Sequence, residues 1–219
     1  MVQSTYGVVN EVVIERGRMT MQLGKSKIHI PFLALFVSLF LVGVSRSQAQ
    51  APVFEISSEE SWIKFYVRAS VALVGKFDKW DANLTLRSPD EKTGVLEIKI
   101  DAASVDTGSG MKNGKLKSKD FFAVEQNPYI TFRSTKVVPM GPNTFEVNGN
   151  FTIRGVSNPE KLTLTVFGKG SESIEINGAM VFDRKDYGMN KGIPFIKIAD
   201  HVDVTFHLKW KRVSGPPLA

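Results

Sequence analysis

The chain has 219 residues, 42% of them hydrophobic and 23% charged, with 18 glycines and 10 prolines. That composition excludes collagen, low-complexity disorder and a multi-span membrane protein, and the length fits one domain plus a short extra segment. There is no cysteine, so disulfides, a thiol nucleophile and thiolate metal sites are excluded, and the net charge of +6 is interspersed, without the basic block a nucleic-acid partner would require.

The first feature in chain order is a leader. Lys25, Lys27 and His29 precede an apolar run, Ile30–Val44. This run is shorter than the roughly 20 residues a membrane-crossing helix needs. It fits the apolar region of a secretory signal peptide, which follows a basic start and ends at small residues. Ser47 and Ala49 supply those small residues, whereas a cut after Ala51 would place the rigid Pro52 next to the scissile bond. Residues 1–49 are therefore expected to be a signal peptide cleaved near Ala49. Residues 50–219 are expected to be the mature domain, periplasmic or secreted. Glu11 and Glu15 stand where such a leader is normally basic, so translation is expected to start at Met19 or Met21. A precursor beginning at Met1 would refute that start.

From residue 53 onward the pattern is alternation with period two, the mark of a half-buried strand. Strands are expected at 61–68, 79–86, 95–101, 129–138, 144–154, 161–167, 174–183 and 202–211, with a short one at 53–56. In 202–211, for example, Val202, Val204, Phe206, Leu208 and Trp210 oppose Asp203, Thr205, His207, Lys209 and Lys211. Turn residues separate the strands at Ser88-Pro89-Asp90, Gly141-Pro142-Asn143 and Ser157-Asn158-Pro159. Such short connections imply antiparallel neighbours. The connection at 102–128 is longer. Gly108, Gly110 and Gly114 make its first half flexible, and Lys115 to Phe122 reads as a short helix. The tail from Ser214 reads as a plain end to the domain.

Every strand has one apolar face, and a sheet must bury such a face. With one small helix available, the sheet must curl into a barrel or split into a sandwich, and closure also removes exposed edges. The expected fold is an all-β, eight-stranded antiparallel barrel with one short helix in the 102–128 connection. A barrel of that size is either filled by its own side chains or holds one small ligand. Its inward face is rich in aromatics such as Phe65, Trp80, Phe145 and Phe206, whereas Ala82, Gly149 and Gly178 leave space. Periodicity alone leaves a dry core and an apolar guest both open. Burying about 20 carbons of a lipid would gain on the order of 16 kcal/mol against an association cost of roughly 4–15 kcal/mol, so a guest must be long.

The segments Ser61–Phe65 leading to Gly75-Lys76-Phe77, Ser104–Gly108, Leu116–Phe122, Pro128–Phe132, Gly149–Val156 and Phe182–Gly188 stand in an order and spacing that resembles the YceI family. The resemblance covers about Phe54 to Lys211. It implies a lipocalin-like barrel around an apolar tunnel that carries or sequesters a long lipid of polyisoprenoid or isoprenoid quinone type, without catalysis and without a cofactor or metal. Many members carry His where this chain has Arg68 or Ala69, a departure from the pattern. With the resemblance, the open lumen is preferred to the dry core. Its wall is expected from Phe65, Val67, Trp80, Leu84, Phe132, Phe151, Ile153 and Phe182. Phe121, Phe122, Tyr187, Ile193, Phe195 and Ile196 are expected at a portal, where apolar side chains point to ligand or transient membrane contact. A homodimer is compatible with this reading. An alternative is an envelope stress-protection or structural module that acts through its surface without a lipid.

Other chemistry finds little support. Arg184, Lys185 and Asp186 read as a turn with an ion pair rather than a headgroup site. Asp200, His201 and Asp203 are too few donors for a convincing metal site. No G-x-S-x-G segment supports a hydrolase, and the glycines of 108–114 lack the Gly-Lys-Ser/Thr ending of a phosphate loop.

Overall fold

A computed structural model of the protein describes residues 50–70, 72–192 and 197–219. The strands are β1 (Val53–Ile56), β2 (Trp62–Ala69), β3 (Leu73–Phe77), β4 (Trp80–Thr85), β5 (Val95–Asp101), β6 (Val105–Asp106), β7 (Tyr129–Pro139), β8 (Thr144–Ile153), β9 (Val156–Phe167), β10 (Ser173–Asp183) and β11 (Ile198–Ser214). They form one antiparallel sheet in the order β4-β5-β7-β8-β9-β10-β11-β2-β3-β6, with β1 paired to β11. The expected alternation is the observed one: in β2, Ile63, Phe65 and Val67 are buried, whereas Trp62, Lys64, Tyr66 and Arg68 face out.

Eleven strands appear where the sequence suggests nine, because two segments are bent. Only Asp78 and Lys79 separate β3 from β4, and a 3-10 turn, Ala102–Ser104, separates β5 from β6. The two bent segments pair with each other on both sides of the bend, β4 with β5 and β3 with β6. The corner is pinned by Asp78 N–H donating to the Ser104 carbonyl at 3.2 Å and Asp101 N–H donating to the Lys79 carbonyl at 3.0 Å. The row of strands thus curls back on itself through this corner. Below it β1, held by β11, lies beside β4 without a ladder between them.

Local expectations are corrected in four places, the first being the 102–128 connection. The helix, α1 (Gly110–Lys117), begins earlier and ends earlier than Lys115–Phe122. The glycine-bearing half is lashed down rather than loose: the Asn113 side chain accepts from Thr107 N–H at 2.8 Å and from the Thr107 hydroxyl at 2.7 Å. After Lys117 the chain turns sharply, with Phe122 N–H donating to the Leu116 carbonyl, and this drives Phe121 and Phe122 into the core. The β8–β9 turn is Arg154-Gly155, not Ser157–Pro159. Both turn residues have positive φ, 55° and 75°, the primed geometry that matches the twist of a hairpin. Pro159 sits inside β9 opposite Asn150, in a stretch where β10 does not pair, so its missing N–H breaks no ladder.

Third, Gly149 and Gly178 do not leave space. The Phe132 ring lies on Gly149 and the Phe206 ring on Gly178, closer than 3.0 Å to where a Cβ would stand. Fourth, the tail is not a plain end. Leu218 is 4% exposed, its carbonyl accepts from Gly170 N–H at 3.1 Å, and Ala219 N–H donates to the Pro89 carbonyl at 3.0 Å.

An apolar cavity with a cationic rim

The inward faces of the strands do not fill the barrel completely. The main cavity, of about 130 Å³, is lined by apolar side chains and by three charged ones, Lys112, Lys115 and Arg184. On the measure in which one water takes roughly 10–15 Å³, it has room for about ten waters or methylenes. A second cavity of about 30 Å³ continues it, and a third of about 50 Å³ lies at the opposite end, where Leu218 forms part of the floor.

The expected lining residues divide among these spaces. Phe65, Val67, Phe121, Phe122, Phe151, Ile153 and Phe182 line the main cavity. Phe132 lines the second and Leu84 the third. Trp80 is half-buried, packed against the core, and borders none of the three. Tyr187 borders none either. It is fully buried behind the wall, with its ring 5.4 Å from those of Phe151 and Phe182 and its hydroxyl donating to Glu160 at 2.8 Å. Burial and the Glu160 carboxylate push its phenol well above the usual value. Ile193, Phe195 and Ile196 lie outside the described residues.

Several lining residues were not anticipated. Leu73 and Phe77 come from β3, whose alternation is hidden because its middle inward position is Gly75, covered by the Phe65 ring on the paired strand. Ala69, at the end of β2, lines the cavity, whereas Arg68 points outward. Met189 and Ile198 complete the rim near Arg184.

The three cations have different settings. The Arg184 side chain is buried, and its guanidinium donates to the carbonyls of Ala199 (3.1 Å), Met189 and Lys191 (3.2 Å) and to Asp200 at 2.9 Å. It is a tie between β10, the following turn and the start of β11. Lys115 pairs with Asp120 at 2.7 Å. Lys112 is exposed, and among the described residues no carboxylate lies within 4.0 Å of it. Met111 beside it is 88% exposed. Among the described residues no cluster of three His, Cys, Asp or Glu side chains exists that could hold a metal.

Ion pairing around the barrel gives an acid-side expectation. Lys185, with Arg184 adding to it, holds the Asp200 carboxyl below the usual range, and Lys115 does the same for Asp120. Lys161 lowers Glu146, Lys209 lowers Glu60, and Gly108 N–H lowers Asp106. Depressed carboxyls stabilise the fold above their unfolded values, near 4, and that contribution is lost as pH falls through the lower folded values. Chemical denaturation should therefore show stability level from pH 7 to about 5 and falling below about 4. A rise in stability below pH 4 would contradict it.

Comparison with known proteins decides the family. The model of the YceI-like domain matches residues 54–210. The chain belongs to the YceI-like family. Among relatives of this YceI-like protein, a UPF0312 protein of Pseudomonas aeruginosa (strain LESB58) is 29% identical over 166 residues, which is 72% of this chain and 84% of that protein. A UPF0312 protein of Azotobacter vinelandii is 24% identical over 73% of this chain and 87% of its own. The crystal structure of Burkholderia cenocepacia BcnA superposes with a TM-score of 0.65 at 26% identity, covering 71% of this chain and 99% of that one. A polyisoprenoid binding domain from Saccharophagus degradans superposes with a TM-score of 0.60 at 18% identity, covering 74% and 99%. The curled antiparallel sheet of the YceI-like chain is thus a lipocalin-like fold, as the resemblance implied.

Proposed function

We propose that this protein binds a long apolar lipid of polyisoprenoid or isoprenoid quinone type inside the barrel and carries or sequesters it in the periplasm, without catalysing a reaction. The observation that supports this reading is the main cavity, whose wall is apolar except for cations at one end. Membership of the YceI-like family, and the likeness to a domain described as polyisoprenoid binding, support it further. The apolar wall selects hydrocarbon, since a polar group placed there without a partner costs roughly 2–7 kcal/mol. About ten buried methylenes give on the order of 8 kcal/mol, within the roughly 4–15 kcal/mol that association costs. Stable retention therefore asks for more chain than the main cavity alone takes, or for a polar contact at Lys112 and Lys115. Met111 and these lysines at the same end suit transient contact with a membrane surface.

Protein purified mildly from its native host, extracted with solvent and analysed by mass spectrometry should yield a long-chain lipid in near-equal amount. Ala69→Trp projects an indole into the rim of the cavity and should lose most of that lipid while keeping its far-UV circular dichroism. Native protein that yields no lipid, or A69W that retains the full amount, would count against the reading.

A further inference from the structure

The inward row of each strand can be followed from the α1 end to the floor. On β10 it runs from Phe182 at the main cavity through Met180 at the second, then Gly178, then Ile176 at the third. On β8 it runs from Ile153 through Phe151 and Gly149 to Val147, over the same levels. The main and second cavities share Ile63, Ile100, Ile130, Phe151 and Val204. The third shares no lining residue with either. The interruption thus falls at the level of the two glycines. Over each lies a phenylalanine from the neighbouring strand: Phe206, directly opposite Gly178, and Phe132, diagonal to Gly149. Both rings line the second cavity and neither reaches the third.

We propose that Phe132 and Phe206, seated on Gly149 and Gly178, form a septum that ends the ligand space and sets the length of apolar chain the barrel takes. The proposal rests on the lipid reading above and adds a specificity determinant to it. The physical argument is the glycine itself. Any Cβ at 149 or 178 would occupy the place where the ring rests, so each glycine and its ring form one packing unit. Beyond them the third cavity remains apolar and walled off, and the chain end stops above it.

The test is affinity for n-alkanols from decanol to docosanol, read by displacement of a fluorescent fatty-acid probe. For the native protein, affinity should rise by about fourfold per added methylene and then flatten at one chain length. In Phe206→Ala, or Phe206→Leu if the alanine variant does not fold, the flattening should move to a longer alcohol. Ile176→Phe fills the third cavity; it should leave the native limit where it is and cancel the shift when combined with the Phe206 change. A folded Phe206 variant with an unmoved limit, or an Ile176→Phe single variant with a shortened one, would overturn the septum while leaving lipid binding intact. No binding of any alcohol by the native protein would overturn the lipid reading and the septum together.

Discussion

Replacing Arg184 with alanine should destabilise the protein by about 2–5 kcal/mol, because the buried carbonyl of Met189 and the half-buried carbonyl of Ala199 lose their donor at roughly 1–3 kcal/mol each. The Asp200 carboxylate adds little to this cost, since Lys185 still pairs with it at 2.7 Å and solvent reaches it. Arg184→Lys should recover only part of the loss. A single ammonium is a point charge and cannot hold acceptors in the four directions that the planar guanidinium fork serves. For a domain of this size the alanine change corresponds to a fall in Tm of about 4–20 °C. Urea and thermal melts measure it directly. If Arg184 were instead a headgroup contact, R184A would keep its melting point and lose lipid, and that result would remove the structural assignment.

The second large effect concerns the glycines beneath the rings. Gly149→Ala and Gly178→Ala should each destabilise by about 1–3 kcal/mol through overpacking. The two sites differ in what can yield. At Gly178 the three nearest neighbours of a new Cβ are all atoms of the Phe206 ring, so combining G178A with Phe206→Leu should restore much of the stability. At Gly149 the Cβ also meets the Arg133 backbone carbonyl at 2.6 Å, which trimming Phe132 does not move. The G149A variant combined with Phe132→Leu should therefore stay destabilised. Double-mutant cycles from denaturation midpoints separate the two cases. Equal rescue at both sites would mean that the backbone contact at Gly149 is unimportant.

The strands were legible because their inward faces are almost uninterrupted apolar rows against polar ones, and burial of one face imposes that pattern directly. Where a glycine faces inward, a side chain from a neighbouring strand supplies the apolar surface and hides the pattern. β3 was invisible because Gly75 occupies its central inward position and Phe65 covers it from β2. Gly149 and Gly178 looked like vacancies for the same reason. The hairpin at Arg154-Gly155 lacked the usual Asn-Gly signal. Its strained arginine is held from outside, by donation to the carbonyls of Gly188 and Lys119, and neither contact is visible in a local window. Tyr187 reads as a portal residue because it sits beside a long loop, yet the 3-10 turn of Arg184–Tyr187 carries it inward, where its ring meets Phe151 and Phe182 edge-on. Of the cavity itself, the strand-borne wall was readable. The rim was not, since Ala69, Leu73, Met189 and Ile198 come from strand ends and turns whose aim only the curled sheet fixes.

The seat of Leu218 has a consequence for traffic. Among the described residues that side chain corks one pole of the barrel, so under the proposed lipid reading a cargo molecule would enter and leave at the α1 pole. A donor and an acceptor would then visit by turns, because both would need that opening. Transfer measured between two populations of vesicles should follow the parallel-line kinetics of a shuttle that alternates between empty and loaded forms, and an intersecting pattern would point to a second exit.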